Sequence, residues 1–328
     1  MVTQTPNIKG KNVLITGGTG SFGRHIVKRL LTMGTASITV FSRDEEKQRQ
    51  MEEEFEEYLS LIKFVLGDVR DYDRILDASR GIQVIYHAAA IKQVPRCEYH
   101  PMEAVKTNIL GASNVKTAAI ANNVERVIAI STDKAVKPVN VMGMTKAIQE
   151  RIMVSDSSGK GGTKFVCVRY GNVIGSRGSV IPFFKERILQ GKNVPVTHPE
   201  MTRFLLTLDD AIDLVLKATD ADDGHILVKK APSCKIVDLA NAMIKELGGK
   251  GKIVYTGMRP GEKTHEVLVS EDEMNRIVES EDYYDIAPYR KMDPGKTGQV
   301  LEYTSANTRL LDGTGIKALL QKTGWLPK

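Results

Sequence analysis

The sequence predicts an α/β fold in which helices cover both faces of a doubly wound parallel sheet, followed by a smaller C-terminal domain. Strand-like and helix-like segments alternate through the first half of the chain, which is typical of parallel sheets with helical crossovers. The first strand-like run, Val13–Thr16, ends in a glycine-rich turn that opens a helical stretch with apolar residues at helical spacing. After about Tyr170 the alternation gives way to shorter strand and loop segments.

The chain length bounds the domain organisation. A chain of 328 residues suits two compact domains or one large α/β unit, and an apolar fraction of 41% is enough for a substantial core. We expect a larger domain over residues 1–170, with a return segment near 205–228, and a smaller domain over residues 171–204 and 229–328.

Composition and charge exclude several classes of function. The net charge is +6, but acidic and basic residues are interspersed, so we expect no nucleic-acid partner. No run of about 18 apolar residues is present, and residues 1–6 lack the order of a signal peptide. The three cysteines, Cys97, Cys167 and Cys234, lack metal-binding spacing. We therefore expect a cytoplasmic protein with no membrane association and no metal site.

The turn after the first strand has the spacing of a phosphate-binding loop. Gly17, Gly20 and Gly23 form a G-x-x-G-x-x-G pattern. In a dinucleotide-binding turn, the first glycine permits a tight turn, the second lets the backbone approach a pyrophosphate, and the third allows close helix packing. The helix N-terminus then presents free N–H groups to the phosphates. We expect nucleotide binding here, the alternative being a structural turn.

The end of the second strand favours NADP over NAD. An NAD site usually has an acidic residue at this place to bind the ribose 2′-hydroxyl. Here Ser42 and Arg43 stand there, with Lys47 one helical turn further on. A hydroxyl and two cations suit a 2′-phosphate better. A helix N-cap at Ser42 followed by a solvated charged helix is the other interpretation, and both can hold at once.

The ends of the next two strands add candidate cofactor residues. Asp68 is placed to accept a hydrogen bond from adenine, or alternatively to cap the following helix. The small residues Ala88–Ala90 let the backbone lie flat beside a ligand, and Lys92 follows in the same loop. We favour a non-catalytic role for His87, the alternative being a catalytic base.

The fifth strand leads into Ser131-Thr132-Asp133-Lys134. Ligands of open parallel sheets bind outside the carboxyl ends of the strands. Asp133 and Lys134 are therefore a candidate proton-transfer pair, the alternative being a surface turn. Lys146 follows in a helix that begins near Met142, where a lysine taken by itself is typically a solvated residue.

These motifs together resemble a known family. The glycine triplet, the alanine-rich loop, Ser131 and Lys146 are marks of the extended short-chain dehydrogenase/reductases, which have a Rossmann-like fold. The chain further resembles the soluble UDP-N-acetylglucosamine 4,6-dehydratases that invert C5, which serve capsular polysaccharide and pseudaminic acid pathways. Nine segments carry this resemblance, which extends from about residue 10 to about residue 310: residues 42–45, 67–71, 87–90, 103–108, 131–135, 169–173, 176–180, 201–204 and 259–263.

One position departs from the superfamily pattern. Met142 stands four residues before Lys146, where the superfamily usually has tyrosine. A thioether has no proton to exchange, so Met142 cannot take the proton of the C4 hydroxyl. The capsular branch looks the same at this position, whereas the pseudaminic acid branch typically keeps tyrosine. We therefore place the chain nearer the capsular type. The alternative is loss of catalysis, against which Asp133 and Lys134 argue.

The resemblance implies a sequence of steps on bound UDP-N-acetylglucosamine. The sugar is oxidised at C4 by NADP, which makes the C5 proton acidic. A base removes that proton, and water leaves from C6 with help from an acid. Hydride then returns to C6, and C5 is reprotonated on the opposite face. The product is UDP-2-acetamido-2,6-dideoxy-β-L-arabino-hex-4-ulose. The resemblance also implies a homo-oligomer, hexameric or dimeric.

The resemblance implies roles for four residues of the reaction site. Lys134 is the base at C5 and Asp133 is the acid at the C6 oxygen, and each role requires a pKa shifted towards neutrality. Lys146 binds the nicotinamide ribose. Thr132 holds the C4 oxygen and takes over part of the task of the tyrosine that Met142 replaces.

Further residues are assigned to binding. The cofactor set adds neighbours of the glycine turn and of the third strand to the residues above: Thr19, Ser21, Phe22 and Val69. The substrate set is expected to hold the nucleotide sugar, with arginines on the diphosphate: Lys92, Asn172, Val180, Arg203, Arg259 and Glu262.

Two other functions stay open at this stage. A nucleotide-sugar 4-epimerase on the same scaffold would transfer hydride but eliminate no water, and so would not need Asp133 and Lys134. A non-catalytic NADP-binding scaffold protein is the second alternative, and Met142 is the feature that favours it.

Overall fold

A computed structural model gives the fold of residues 6–155, 162–176, 178–289 and 301–327. Arg177, part of the motif at residues 176–180, lies outside these described residues. The described strands, numbered β1 to β16, are Asn12–Thr16, Ser37–Ser42, Ile62–Leu66, Val84–His87, Arg126–Ile130, Lys164–Arg169, Asn172–Val173, Val194–Val196, Thr202–Leu206, Ile226–Lys229, Ser233–Lys235, Ile253–Tyr255, Val267–Val269, Ile277–Glu279, Tyr283–Ile286 and Tyr303–Thr304.

The described α-helices are numbered α1 to α12 in chain order. They are Ser21–Leu31, Glu45–Glu54, Tyr72–Ala78, Val94–Tyr99, Pro101–Ala104, Gly111–Ala121, Val141–Val154, Val180–Leu189, Leu208–Ala218, Ile236–Glu246, Glu271–Met274 and Gly313–Lys322. Between α5 and α6 the chain forms a π-helical segment, Val105–Leu110. The helical stretch from Pro101 to Ala121 is therefore interrupted by a π segment, and such segments commonly occur near functional sites.

A nine-stranded sheet forms the centre of the fold, in the order β14-β15-β10-β6-β5-β4-β1-β2-β3. The strands from β3 to β10 in this order pair in parallel. This is the predicted doubly wound α/β architecture, and the strand order reverses between β1 and β4. Strand β4 ends with His87.

The sheet is buried on both faces. Alternate side chains of a strand point to opposite faces, and β1 divides accordingly: Val13 and Ile15 pack in one core, whereas Leu14 packs in the other. Central strands with two buried faces are nearly continuous apolar runs, which explains why the first six strands of the main sheet were recognisable in the sequence.

The C-terminal half returns to this sheet twice. Helix α9 and strand β10 fall within and just after the predicted return segment at residues 205–228. The strands β14 and β15, in the range assigned to the smaller domain, also pair with the main sheet in antiparallel fashion. Their hairpin covers the edge of β10, which would otherwise present unpaired backbone groups. The domain boundaries themselves stay a prediction.

A smaller layer lies beside the sheet and has its own core. It contains a three-stranded sheet, β11-β9-β7, and a two-stranded sheet of β12 and β8. Residues from α8, α10 and α12 fill this core, among them Phe184, Leu239 and Leu320. Among the described residues, no helix has the length and apolar character needed to cross a membrane.

Gly23 tests the packing of the first turn. A Cβ on this residue would lie 2.1 Å from the backbone oxygen of Gly18, which cannot move aside without breaking the turn. We expect Gly23→Ala to lower the free energy of unfolding by about 1–3 kcal/mol, the usual cost of overpacking, measured by urea denaturation. Gly313→Ala is the control, because a Cβ there meets no atom within 4 Å. Equal stability of both variants would contradict this account.

Candidate active site

A crevice of about 1010 Å³ opens at the carboxyl ends of β1, β4, β5 and β6. Most of the predicted site residues line it: Gly17, Thr19, Gly20, Ser21, Phe22, Ser42, Arg43, Lys47, Asp68, Val69, Ala88, Ala89, Ala90, Lys92, Thr132, Lys134, Met142, Lys146, Asn172 and Arg259. The crevice thus brings together segments from the glycine turn to the C-terminal half, as expected for a sheet whose parallel strands end at one edge.

The glycine turn has the geometry of a phosphate cradle. Gly17 has a φ of +67°, and a Cβ there would lie 2.8 Å from the backbone of Ala89. Helix α1 starts after Gly20, and no side chain caps its N-terminus. Its first N–H groups are therefore available to an anion, and the helix dipole favours one. This arrangement fits the pyrophosphate of a dinucleotide.

The residues beyond β2 differ in part from expectation. Ser42 is buried, and its hydroxyl hydrogen-bonds that of Thr19 at 2.8 Å. The N-cap of α2 is Asp44 rather than Ser42, because the Asp44 carboxylate accepts from the N–H of Lys47 at 3.0 Å. Lys47 forms an ion pair with the same carboxylate. Arg43 is largely exposed at the mouth of the crevice, where its guanidinium is accessible to a ligand phosphate.

Asp68 does not cap the helix that follows it. The cap of α3 is Asp71. Asp68 instead accepts hydrogen bonds from the backbone and the guanidinium of Arg70, at 3.0 and 2.7 Å. Burial opposes the charged form, but these bonds prevail and lower the pKa of Asp68. The carboxylate is thus ionised at the edge of the crevice, beside Arg43.

His87 has a structural role in this site. Its Nδ1 lies 2.8 Å from the hydroxyl of Thr16, at the end of the adjacent strand β1. Burial, aided by the charge of Lys146, lowers the pKa of His87 to about 3. The imidazole is therefore neutral and joins two strand ends, in agreement with the non-catalytic interpretation.

Lys146 is buried rather than solvated. Only 6% of the residue is exposed, and its ammonium donates to the carbonyl of Ile130 and to Oε1 of Gln149, each at 2.6 Å. Burial lowers the pKa of Lys146 to about 8 because a low-dielectric environment penalises the charged form. The interpretation of Lys146 as a solvated helix lysine is wrong.

Asp133 and Lys134 form a buried ion pair rather than a surface turn. They lie in a short 3₁₀ turn after β5, and Asp133 is fully buried. Its Oδ1 accepts from Nζ of Lys134 and from the hydroxyl of Thr132, each at 2.9 Å. Its Oδ2 is buried without a hydrogen-bond partner among the described residues. One acceptor of this carboxylate is therefore still available.

The protonation of Lys134 departs from expectation. Burial favours the neutral amine, but the carboxylates of Asp133 and Glu266 outweigh it and raise the pKa of Lys134. The sequence-based expectation of a pKa shifted towards neutrality is therefore wrong for this lysine. Lys134 is an ammonium ion, and it needs a nearby acceptor before it can act as a base.

Met142 occupies the place of the usual tyrosine at the crevice wall. It is 4% exposed and packs with Cys97 and Ala104. The hydroxyls of Thr132 and Tyr170 lie in residues that line the same crevice, and burial raises the pKa of Tyr170. A phenol with a raised pKa stays protonated at neutral pH and so does not take up a proton. Of these two hydroxyls, that of Thr132 donates a hydrogen bond to a carboxylate, Oδ1 of Asp133.

The predicted substrate residues divide into two groups. Lys92, Asn172 and Arg259 line the crevice, and Oδ1 of Asn172 is buried without a partner among the described residues. The other three do not line the crevice: Val180, Arg203 and Glu262.

Hydrogen bonds to neighbouring backbone groups explain why Arg203 and Glu262 do not line the crevice. The guanidinium of Arg203 donates to the carbonyls of Thr202 and Thr264, at 2.7 and 3.2 Å. The carboxylate of Glu262 accepts from the N–H of Arg259 at 3.1 Å. The contact of Glu262 closes a turn that carries Arg259 to the crevice, so Glu262 supports a lining residue instead of being one.

Glu266 is the functional candidate that sequence reasoning missed. It is 3% exposed, and its Oε1 lies 3.4 Å from Nζ of Lys134 and 3.6 Å from Nε of Arg203. The only sequence signal is an acidic residue directly before the apolar run of β13. Buried carboxylates are rare unless they are paired. An acidic residue directly beside a buried strand is therefore a sequence signal for a buried ion pair.

The cysteines form no disulfide bond among the described residues. All three, Cys97, Cys167 and Cys234, are buried and free. Within the described ranges, no group of three or more histidine, cysteine, aspartate or glutamate side chains is arranged to hold a metal ion.

Lys146 makes stability depend on pH. Its folded-state pKa of about 8 lies below the ordinary value of 10.5, so between these values the unfolded chain binds more protons and the stability rises with pH. We expect the difference in unfolding free energy between the wild type and Lys146→Met to grow by up to about 3 kcal/mol from pH 8 to 10.5. Urea denaturation of cofactor-free protein measures it, and a pH-independent difference would refute the assignment.

Known proteins are similar to this chain in sequence and in fold. A UDP-glucose 4-epimerase from Rickettsia prowazekii is 44% identical over 334 aligned positions, which cover 97% of each chain. The crystal structure of Pen from Bacillus thuringiensis is 38% identical, covers 98% of this chain and 99% of its own, and superposes with a TM-score of 0.92. A double mutant of dTDP-glucose 4,6-dehydratase from Streptomyces venezuelae shares the fold at 20% identity, with a TM-score of 0.69 over 77% of this chain and 86% of its own.

The family match covers the sheet and the crevice together. Residues 13–288 match the polysaccharide biosynthesis protein family. They include the glycine turn, the Asp133–Lys134 pair and Glu266. The chain is therefore a member of the polysaccharide biosynthesis protein family, with the fold of the extended short-chain dehydrogenase/reductases that serve as nucleotide-sugar epimerases and dehydratases.

Proposed function

We propose that this protein is an inverting UDP-N-acetylglucosamine 4,6-dehydratase that uses NADP. The observation that carries the proposal is the ion pair of Lys134 with the fully buried Asp133 at the end of β5. Lys134 lines a crevice that also has Met142 where an epimerase-type tyrosine is expected. Removal of a C5 proton and of a C6 hydroxyl requires an acid and a base side by side. Hydride transfer alone requires a group that takes the proton of the C4 hydroxyl, but it requires no base at C5 and no acid at the C6 oxygen.

The glycine turn would hold the cofactor. The first N–H groups of α1 would bind the pyrophosphate, and Lys146 would bind the nicotinamide ribose. A bound NADP⁺ would supply the hydride acceptor for C4 and, once reduced, the hydride donor for C6. Arg43 would bind the 2′-phosphate, with Ser42 and Lys47 beside it.

Thr132 and Asp133 carry the proton of the C4 hydroxyl. The Thr132 hydroxyl donates to Oδ1 of Asp133 at 2.9 Å. As C4 is oxidised, Thr132 accepts the sugar proton and passes its own proton to the carboxylate. Asp133 then holds the proton that it gives to the departing C6 oxygen, so that water leaves. This route explains how the reaction proceeds with a thioether at position 142.

Lys134 acts at C5. As the neutral amine it removes the C5 proton, which the C4 ketone has made acidic. Asn172 and Arg259, which line the crevice, hold the nucleotide sugar, with the arginine on the diphosphate. Lys92 lines the same crevice.

The 4-epimerase is the second candidate function. The observation that favours it is the 44% identity to a chain named as a UDP-glucose 4-epimerase. It would use the same cofactor crevice, but Lys134 would have no C5 proton to remove. A non-catalytic NADP-binding protein would need no acid or base residues at the crevice.

Arg43 tests the choice of cofactor. Because charge-assisted bonds to a phosphate are the strong ones, we expect Arg43→Ala to weaken NADP binding by roughly tenfold or more and to leave NAD binding unchanged. Calorimetric titration with both dinucleotides measures this. Arg49→Ala is the matched control, since Arg49 is an exposed arginine that pairs with glutamates of the same helix. Equal losses for NADP and NAD would refute the 2′-phosphate contact.

Lys134 tests the reaction. Proton NMR of the protein with UDP-N-acetylglucosamine in deuterated water should show a new C6 methyl signal and deuterium at C5. We expect Lys134→Ala to reduce methyl formation by roughly a hundredfold or more, as for the loss of a general base. Lys137→Ala, which removes a surface lysine paired with Glu271 and Glu302, should behave like the wild type.

The same spectra separate the alternatives. UDP-glucose is tested beside UDP-N-acetylglucosamine. A galacto product without a methyl signal, unaffected by Lys134→Ala, would replace the dehydratase with the epimerase. Dinucleotide binding with no change in any nucleotide sugar would favour the non-catalytic protein.

A further inference from the structure

The side chain of Asn140 joins two walls of the crevice. Its Oδ1 accepts from the backbone N–H of Gly143 at 2.8 Å and caps α7, the helix that carries Lys146. Its Nδ2 donates to the carbonyl of Gly261 at 2.9 Å, in the turn that carries Arg259. Asn140 is 6% exposed and does not line the crevice itself. It therefore acts on the crevice through the helix and the turn that it connects.

The two contacts of Asn140 require an amide. The N–H of the helix needs an acceptor and the carbonyl of Gly261 needs a donor, and the two ends of an asparagine amide supply one each. An aspartate could only accept. A serine also caps helices, but its single hydroxyl oxygen cannot occupy both amide positions. Replacement of Asn140 by serine thus keeps the cap and removes the bond to the turn.

Polar contacts with the loop before α7 hold this turn in place. Residues 254–260 are all exposed, so burial of apolar surface contributes little to the placement of the turn. Nζ of Lys263 donates to the carbonyl of Val136, in the same loop as Asn140. Gly261 approaches Asn140 closely, since a Cβ on this glycine would lie 3.0 Å from Cβ of the asparagine. Loss of one of these polar contacts is therefore expected to shift the turn.

We propose that Asn140 is a positioning residue for the nucleotide sugar, because it holds the Arg259 turn against α7 and so fixes the diphosphate relative to the reaction site. The inference rests on the part of the proposed function that assigns Arg259 to the diphosphate. Asn140 itself touches neither substrate nor cofactor. Substrate affinity then depends on the fraction of molecules in which the turn is docked, because only these present the guanidinium to the phosphates.

Asn140→Ser in the full-length protein tests this role. We expect it to weaken UDP binding by roughly three- to tenfold, the effect of losing one hydrogen bond that holds a binding conformation. NADP binding should stay unchanged. In turnover, the KM for UDP-N-acetylglucosamine should rise while kcat changes little. Calorimetric titrations with UDP and with NADP, followed by initial rates, measure these quantities.

Two further variants separate the contact from charge and from a general loss of stability. Asn140→Asp keeps the cap acceptor but also loses the donor, so it should lose at least as much UDP affinity as Asn140→Ser. Asn122→Ser is the matched control. The amide of Asn122 donates to the carbonyl of Leu76 at 2.8 Å at the C-terminal end of α6, and Asn122 does not line the crevice. Asn122→Ser should bind UDP like the wild type even where it lowers stability.

A double-mutant cycle asks whether Asn140 acts through Arg259. In an Arg259→Ala background, Asn140→Ser should have little further effect on UDP binding, so the two losses should not add. Three results would overturn the role of Asn140 even in an active dehydratase: additive losses, wild-type UDP affinity in Asn140→Ser, or equal losses of UDP and NADP affinity.

Failure of the proposed function gives different results. Unchanged UDP binding by Arg259→Ala would remove this arginine from the diphosphate site, and the role of Asn140 would fall with it. A wild type that binds UDP through Arg259 but forms no methyl product would overturn the dehydratase proposal, while the binding titrations would still decide the role of Asn140.

Discussion

The parallel arrangement of the central strands is the constraint on which the rest of the molecule depends. Parallel strands all end at one edge of the sheet, and short connections there have to turn sharply into helices. The residues directly after β1, β4, β5 and β6 therefore meet in a single crevice. The glycine turn follows β1 and the alanine-rich loop follows β4. The ion pair of Asp133 and Lys134 follows β5, and the amide of Asn172 follows β6. Each part is local in sequence, but only the sheet makes them neighbours.

The parts that the sequence predicted are those whose signals are local. The buried strands are apolar runs, the glycine turn sits between a strand and a helix, and Asp133 and Lys134 follow directly on β5. The absence of a proton at Met142 follows from the chemistry of one side chain. Such features need no knowledge of distant residues, and the sheet order then puts them in place. Sequence reasoning accordingly gave the fold class and most of the crevice lining.

The parts that it missed depend on contacts between distant segments. Glu266 reaches Lys134 only because the chain returns from the smaller layer, and Arg203 is drawn to that carboxylate and to the carbonyl of Thr264. The burial of Lys146 depends on the carbonyl of Ile130 at the end of β5. The hairpin of β14 and β15 is short and polar on one face, so its pairing with β10 left no clear pattern in the sequence.

The two lysines of the crevice show why burial alone does not set protonation. Lys146 is buried and Lys134 is partly buried, with 23% of its side chain exposed, and burial favours the neutral amine. Lys134 faces two carboxylates and stays charged, whereas Lys146 has carbonyl and amide oxygens as its hydrogen-bond partners and has a pKa near 8. Active sites commonly divide acid–base tasks between two groups of the same kind by giving them environments that move their pKa values apart. In the proposed reaction Lys146 serves the cofactor and Lys134 serves the sugar. Among the residues that the structure describes, Lys134 is in contact with two carboxylates, those of Asp133 and Glu266, and these charges hold it as an ammonium ion although burial favours the neutral amine.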